Sequence, residues 1–140
     1  MLTNFDINVG YTYTTTAKLN IDSVIESEKA YNETGSIALA NVSDYVISST
    51  NANCYAAYTS TDCASTNSMN VNGYQWYLLN AKYNINTAQV WTVYNTGKLS
   101  SQDATNSYYI RPVLTVNKSV LATGTGTKDD PYVIEAVNEE

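Results

Sequence analysis

The chain contains no histidine. That removes the Ser-His-Asp triad, imidazole acid–base catalysis and most zinc or iron sites. Basic residues are scarce, with seven Lys and Arg against thirteen Asp and Glu, and the net charge is −6. No Lys/Arg stripe is available to neutralise phosphates, so neither nucleic acid nor an anionic membrane is an expected partner. Apolar runs last only a few residues, too short for a membrane span or for the apolar stretch of a signal peptide. No membrane contact by this fragment, no metal and no cofactor are expected.

The 140 residues fit a single domain, 1–140, large enough to bury roughly 70% of the surface its unfolded form exposes. The apolar share is carried by Tyr, Val, Ile and Ala, and the polar share by Asn, Ser and Thr. That mixture favours strands and turns over long helices, and the expected class is α+β.

Cys54 and Cys63 flank the polar loop YAAYTSTD. They are too far apart for a CxxC redox motif and too few for a structural metal site. A disulfide closing this loop is the expectation, with two free thiols in a cytosolic protein as the competing reading. A disulfide implies export, which conflicts with a start at Met1 and no leader. The chain is therefore read as the soluble part of a longer exported protein, secreted or on a cell surface.

The segment FDINVGYTYT alternates Ile7, Val9, Tyr11 and Tyr13 with polar residues and predicts a strand. Ser23 and Glu26 have capping-box spacing around Val24 and Ile25, which predicts a short helix that Gly35 could stop. SIALANV begins as strand, and Ser43-Asp44 can then cap a helical turn carrying Tyr45, Val46 and Ile47. From Ser49 to Asn72 composition predicts loop throughout, pinned by the cysteine pair. Strands are predicted over YQWYLLN, AQVWTVY, KLSS, SYYIRPVLTVN and YVIEAV, with Asn95-Thr96-Gly97 as a hairpin turn. The total is about six strands and one or two helices. Pro112 belongs at a sheet edge or bulge, because it has no N–H for a ladder.

Gly124-Thr125-Gly126-Thr127-Lys128 superficially resembles a phosphate loop, but Asp129-Asp130-Pro131 follow where a helix would have to start. Two acids would repel phosphate, so the segment reads as a turn with solvated carboxylates that closes the domain. Calcium is the weaker alternative, since no EF-hand spacing exists. No motif pairs the carboxylates for glycoside chemistry. Asp44 is expected to anchor structure by capping a turn. Arg111, the one arginine, lies in an apolar strand and is expected to be a structural anchor satisfied by a carboxylate or by carbonyls. Trp76 and Trp91 are expected in the core. Tyr55, Tyr58 and Tyr74 are expected on the surface as ligand-binding residues, because Tyr among Asn and Ser makes adaptable contact surfaces.

GSIALANVSDYVIS, the cysteine pair, YQWYLLN, VWTVYNTGKL, YYIRPVLTVNKSV and GTGTKDDPYVIE follow one another in an order that resembles a family of bacterial surface domains. The likeness covers most of the chain from Ile7, with Ile110 where the family's Val-Arg-Pro-Val step has valine. It implies a C-type-lectin-like fold, found in exported proteins of gut Firmicutes and related bacteria, often behind a prepilin-type N-terminal helix. It implies no catalytic residues, and the chain lacks the Trp-Asn-Asp and Glu-Pro-Asn motifs of calcium-dependent lectins. The expected function is a non-catalytic extracellular binding, adhesion or display module, with a glycan or a host or bacterial surface protein as partner. The alternative is the globular head of a pilin-like or pseudopilin-like subunit, whose surfaces serve self-assembly.

Overall fold

The computed structural model describes residues 5–8, 21–55, 61–71, 73–82, 87–116, 121–125, 127 and 129–134. Along the chain come β1 (Phe5–Asn8), α1 (Ile21–Glu28), β2 (Asn32–Gly35), β3 (Ile37–Leu39), α2 (Val42–Ile47), a 3-10 turn (Ala52–Tyr55) and α3 (Thr61–Ser65). They are followed by β4 (Trp76–Lys82), β5 (Gln89–Val93), β6 (Leu99–Asp103), β7 (Pro112–Leu114), β8 (Leu121–Thr123) and β9 (Val133–Ile134). The fold is α+β with antiparallel strand pairing. β4-β5-β6 form a three-stranded sheet, and β1-β2, β3-β7 and β8-β9 form two-stranded ones.

The central sheet follows from its sequence. Trp76, Leu78 and Asn80 are buried on β4 while Tyr77 and Leu79 between them are half-buried, the period of two that a one-sided strand requires. Trp91 and Val93 of β5 join Trp76 and Leu78 in a core that also takes Val24 from α1 and Val42, Tyr45 and Val46 from α2. Both tryptophans are thus core residues, as expected. The β5–β6 turn closes with Tyr94 N–H donating to Lys98 O at 2.7 Å and Gly97 N–H to Tyr94 O at 2.8 Å. Gly97 sits at φ +80°, where a side chain would be strained and where a Cβ would meet Asn70 at 2.6 Å. Its carbonyl accepts the Tyr45 hydroxyl at 2.7 Å, which ties the hairpin tip to α2.

Helix α2 is the hub, because its first two N–H groups are buried and each finds an acceptor from a different element. Val42 N–H donates to Asn80 Oδ1 of β4 at 2.7 Å. Ser43 N–H donates to Glu28 Oε1 of α1 at 3.1 Å, and the Ser43 hydroxyl donates to Glu28 Oε2. Asp44 returns Oδ2 to the Asn41 N–H at 2.9 Å. The helix therefore starts earlier than Ser43-Asp44 suggests. Asn41 stands at its cap, and Asp44 acts from the third helical position.

Burial raises the pKa of Glu28, against the lowering effect of the bonds from Ser43. A carboxyl whose folded pKa exceeds its unfolded value contributes stability below the unfolded pKa and loses it as pH rises through the folded one. A Glu28→Gln variant would keep an acceptor for Ser43 N–H and would not ionise. The wild type is expected to lose stability relative to this variant as pH rises above 4.5, the unperturbed value. Urea midpoints of the two proteins between pH 4 and 8 check this, and a difference that stays constant with pH would contradict it.

Several expectations change. α1 ends at Glu28, not near Gly35, because the chain turns to place Asn32–Gly35 beside β1. The Ser49–Asn72 stretch is not simple loop. It holds the 3-10 turn and α3, since its Asn, Ser and Thr side chains bond to nearby backbone. Cys54 and Cys63 are joined in a disulfide that links these two short helices. Among the described residues there are nine strands, where about six were expected, because short strands such as β2 carry no apolar alternation. Over its described part, 107–116, the strand predicted for Ser107–Asn117 holds β7, with Tyr109 making an isolated parallel bridge to Trp76; Asn117 lies outside the described residues. Pro112 opens β7 in a two-stranded sheet, the edge position its missing N–H demands. Residues 9–14 of the predicted first strand lie outside the described residues.

The Gly/Thr loop is a closed turn between β8 and β9. Thr125 and Thr127 N–H groups donate to Asp130 O at 3.2 and 3.1 Å, and Thr125 N–H also donates to Asp130 Oδ2 at 3.0 Å. Gly124 is at φ +95°, and a Cβ there would stand 2.2 Å from Pro131 O. Asp130 thus accepts from the Thr125 and Thr127 N–H groups of its own loop.

Candidate binding cleft

The cleft is built where β4 begins. Tyr109 N–H donates to Gln75 O and Tyr77 N–H to Tyr109 O, both at 3.0 Å, so residues 108–110 run beside the strand as a short parallel rung. Gly73 N–H donates to Asn95 O at 2.9 Å and fixes the approach to Tyr74 from the hairpin side. Pro112 favours extended backbone at Arg111 and so separates this rung from β7. The result is an open cleft of about 200 Å³ lined by Val71, Tyr74, Trp76, Tyr109, Ile110 and Arg111.

Its walls are apolar and largely exposed, with Tyr74 50%, Tyr109 60% and Ile110 69% accessible. Tyr74 and Tyr109 meet edge to face, their ring centroids 5.0 Å apart. Arg111 lies over the Trp76 ring at 4.9 Å and donates from Nη1 to Met69 O. Among the described residues no carboxylate forms an ion pair with it. The ion pair among the described residues is the exposed Lys29–Glu26 contact at α1, 3.3 Å, away from the cleft. A guanidinium stacked on one face retains donors for a planar anion.

The polar stretch after α2 supports this wall from behind. Thr50 N–H donates to Thr66 O at 3.0 Å and Ser68 N–H to Ser48 O at 3.1 Å. Buried Asn67 donates to Tyr45 O and accepts from Ser48 Oγ at 2.6 Å and from Met69 N–H at 2.8 Å. Asn70 Nδ2 donates to Ala64 O of α3 at 3.0 Å. The disulfide-linked segment therefore sets the position of Met69, whose carbonyl receives Arg111.

Tyr74, expected as a ligand-binding residue, and Arg111, expected as a structural anchor, come together in the cleft. Asp44 lies at the start of α2 and Cys54–Cys63 in the supporting segment. The side chain of Tyr55 and all of Tyr58 lie outside the described residues. Val71, Tyr109 and Ile110 were not anticipated. The available signal was Pro112, which opens β7 partway along the apparent strand over Ser107–Asn117 and leaves Tyr109 and Ile110 outside the β3–β7 ladder. Among the described residues no group of three Cys, Asp or Glu side chains could hold a metal.

A family model described as Domain of unknown function (DUF6273) matches residues 10–118. The chain belongs to the DUF6273 family. No curated protein and no solved structure matches it. The DUF6273 match covers α1 to β7 and every residue lining the cleft, and it stops before the β8–β9 turn. The cleft is thus part of the DUF6273 domain itself.

Proposed function

We propose that the chain is a non-catalytic extracellular binding or adhesion module of a bacterial surface, of C-type-lectin-like architecture, and that it makes contact through the cleft around Tyr74 and Tyr109. One observation carries this reading: exposed aromatic and aliphatic side chains converge on a cleft that also holds an arginine without a carboxylate partner among the described residues. Tyrosine and arginine are enriched among the residues that dominate binding energies, and convergent apolar walls with few polar groups characterise ligand sites. The disulfide supports an oxidising compartment, where such bonds persist. A glycan or a surface protein is the partner.

A pilin-like head is the second reading. It is favoured by Ile37 and Leu114, which face each other on the β3–β7 ladder and are 57% and 49% exposed. Paired apolar side chains at an edge suit contact with further copies of the chain.

Tyr74→Ala/Tyr109→Ala is expected to weaken adsorption of the labelled domain to envelope fractions and immobilised glycans by about tenfold or more. Both side chains are half or more exposed, so the melting temperature should barely move. Unchanged adsorption would reject the cleft. If adsorption instead fell with Ile37→Lys and rose with concentration as the protein self-associated, the assembly reading would replace it.

A further inference from the structure

We propose that the cleft captures a terminal carboxylate carried by an apolar residue, that is, a peptide C-terminus ending in an apolar side chain. This rests on reading the cleft as the domain's binding surface and names what that surface selects.

Charge is the first argument. Arg111 lines the cleft, half-buried, in a chain of net charge −6. Its Nη1 bonds to Met69 O, and the Trp76 ring covers one face at 4.9 Å. These contacts hold the guanidinium in place without neutralising it, and among the described residues no acidic side chain does so. A fixed guanidinium with no acidic partner among the described residues favours a carboxylate over a neutral group, since its planar fork matches the two oxygens.

The walls supply the second argument. Val71, Tyr74, Trp76, Tyr109 and Ile110 present apolar surface beside the guanidinium. A sugar acid would bring several hydroxyls and would need several convergent donors and acceptors. Among the described residues no Asn, Gln, Asp, Glu, Ser or Thr side chain lines the cleft, and those that do offer Arg111 and the two tyrosine hydroxyls. An aliphatic side chain next to a carboxylate uses both halves of the cleft.

Size is the third. About 200 Å³ is below the roughly 300–1,000 Å³ of pockets that enclose drug-sized ligands. One residue with its terminal carboxylate fits that space, and a longer segment would leave the cleft.

The test is an amide-resolved NMR titration of the whole disulfide-bonded chain with four probes: N-acetyl-L-leucine, N-acetyl-L-leucinamide, D-glucuronate and inorganic phosphate. N-acetyl-L-leucine is expected to shift Val71, Tyr74, Tyr109, Ile110 and Arg111 saturably, with roughly millimolar affinity. The amide, which lacks the anion, should bind about tenfold more weakly. Arg111→Gln should abolish the preference for the acid. Because Arg111 also braces Met69 and Trp76, the acid-to-amide comparison on the wild type stands independently of how that variant folds.

Equal binding of acid and amide would overturn the carboxylate assignment. Glucuronate or phosphate shifting the cleft as strongly as N-acetyl-L-leucine would overturn the apolar C-terminus, yet leave a binding cleft. No saturable shift at the cleft with N-acetyl-L-leucine would overturn the inference outright, while the binding-module reading would still be decided by adsorption of Tyr74→Ala/Tyr109→Ala.

Discussion

Replacing Asn80 by alanine is expected to destabilise the domain by about 3 kcal/mol, combining a buried donor left without an acceptor and a small cavity. Asn80 is fully buried on β4, and its Oδ1 accepts the Val42 N–H at 2.7 Å where α2 starts. Val42 is itself fully buried, so water does not reach that N–H to replace the lost bond. The position of Asn80 is prepared by a register shift. From Tyr77 to Ala81 the strand gains residues relative to β5, and Leu79 N–H leaves the ladder to donate to Ala40 O at 2.9 Å. This irregularity turns β4 toward the segment that precedes α2. Asn80→Leu separates the two contributions. It restores volume and still leaves Val42 N–H unpaired, so it should retain roughly 1–3 kcal/mol of the loss. Urea unfolding of the three proteins measures both. A loss below about 1 kcal/mol for Asn80→Ala would show that α2 is not held from β4.

Removing the disulfide is expected to cost about 2–3 kcal/mol, from the entropy of a loop whose ends are nine residues apart. Both cysteines are buried, so reduction also leaves two thiols inside the packed segment. The consequence extends to the cleft. Cys63 lies in α3, Ala64 of α3 holds Asn70, and the neighbouring Met69 carbonyl receives Arg111. Cys54→Ser/Cys63→Ser should therefore lower the unfolding midpoint and broaden the amide signals of Met69, Val71 and Arg111, while those of the β5–β6 strands stay sharp. A stability loss under roughly 0.5 kcal/mol, or an unchanged Met69 environment, would contradict this coupling.

The central sheet was legible because Trp76, Leu78, Trp91 and Val93 carry the strand pattern and Asn95-Thr96-Gly97 carries the turn. α3 and the 3-10 turn were not, because their helicity comes from side-chain bonds and a crosslink rather than from an apolar stripe. Glu28 and Asn80 look like surface residues in a sequence. They are buried because the first N–H groups of α2, like those of any helix, have no acceptor within it, and these two side chains supply one. The lone arginine in an apolar stretch reads as a structural anchor that needs a carboxylate or carbonyls; it does donate to the Met69 carbonyl, but its stacking on Trp76 and its place in the cleft were not foreseen. Tyr109 and Ile110 escaped notice because alternation across Ser107–Asn117 mimics one continuous strand. Only the parallel rung with Gln75 and Tyr77 shows where that segment leaves the ladder.

Radical footprinting of the domain adsorbed on envelope material asks most directly whether the Tyr74–Tyr109–Arg111 cleft is the contact surface. Tyr74, Tyr109 and Ile110 are exposed in the free domain and should become protected, while Tyr31 and Tyr132, 67% and 53% exposed, should stay reactive. Protection of Tyr31 or Tyr132 with Tyr74 and Tyr109 still fully reactive would place the contact elsewhere and contradict the cleft as the binding site.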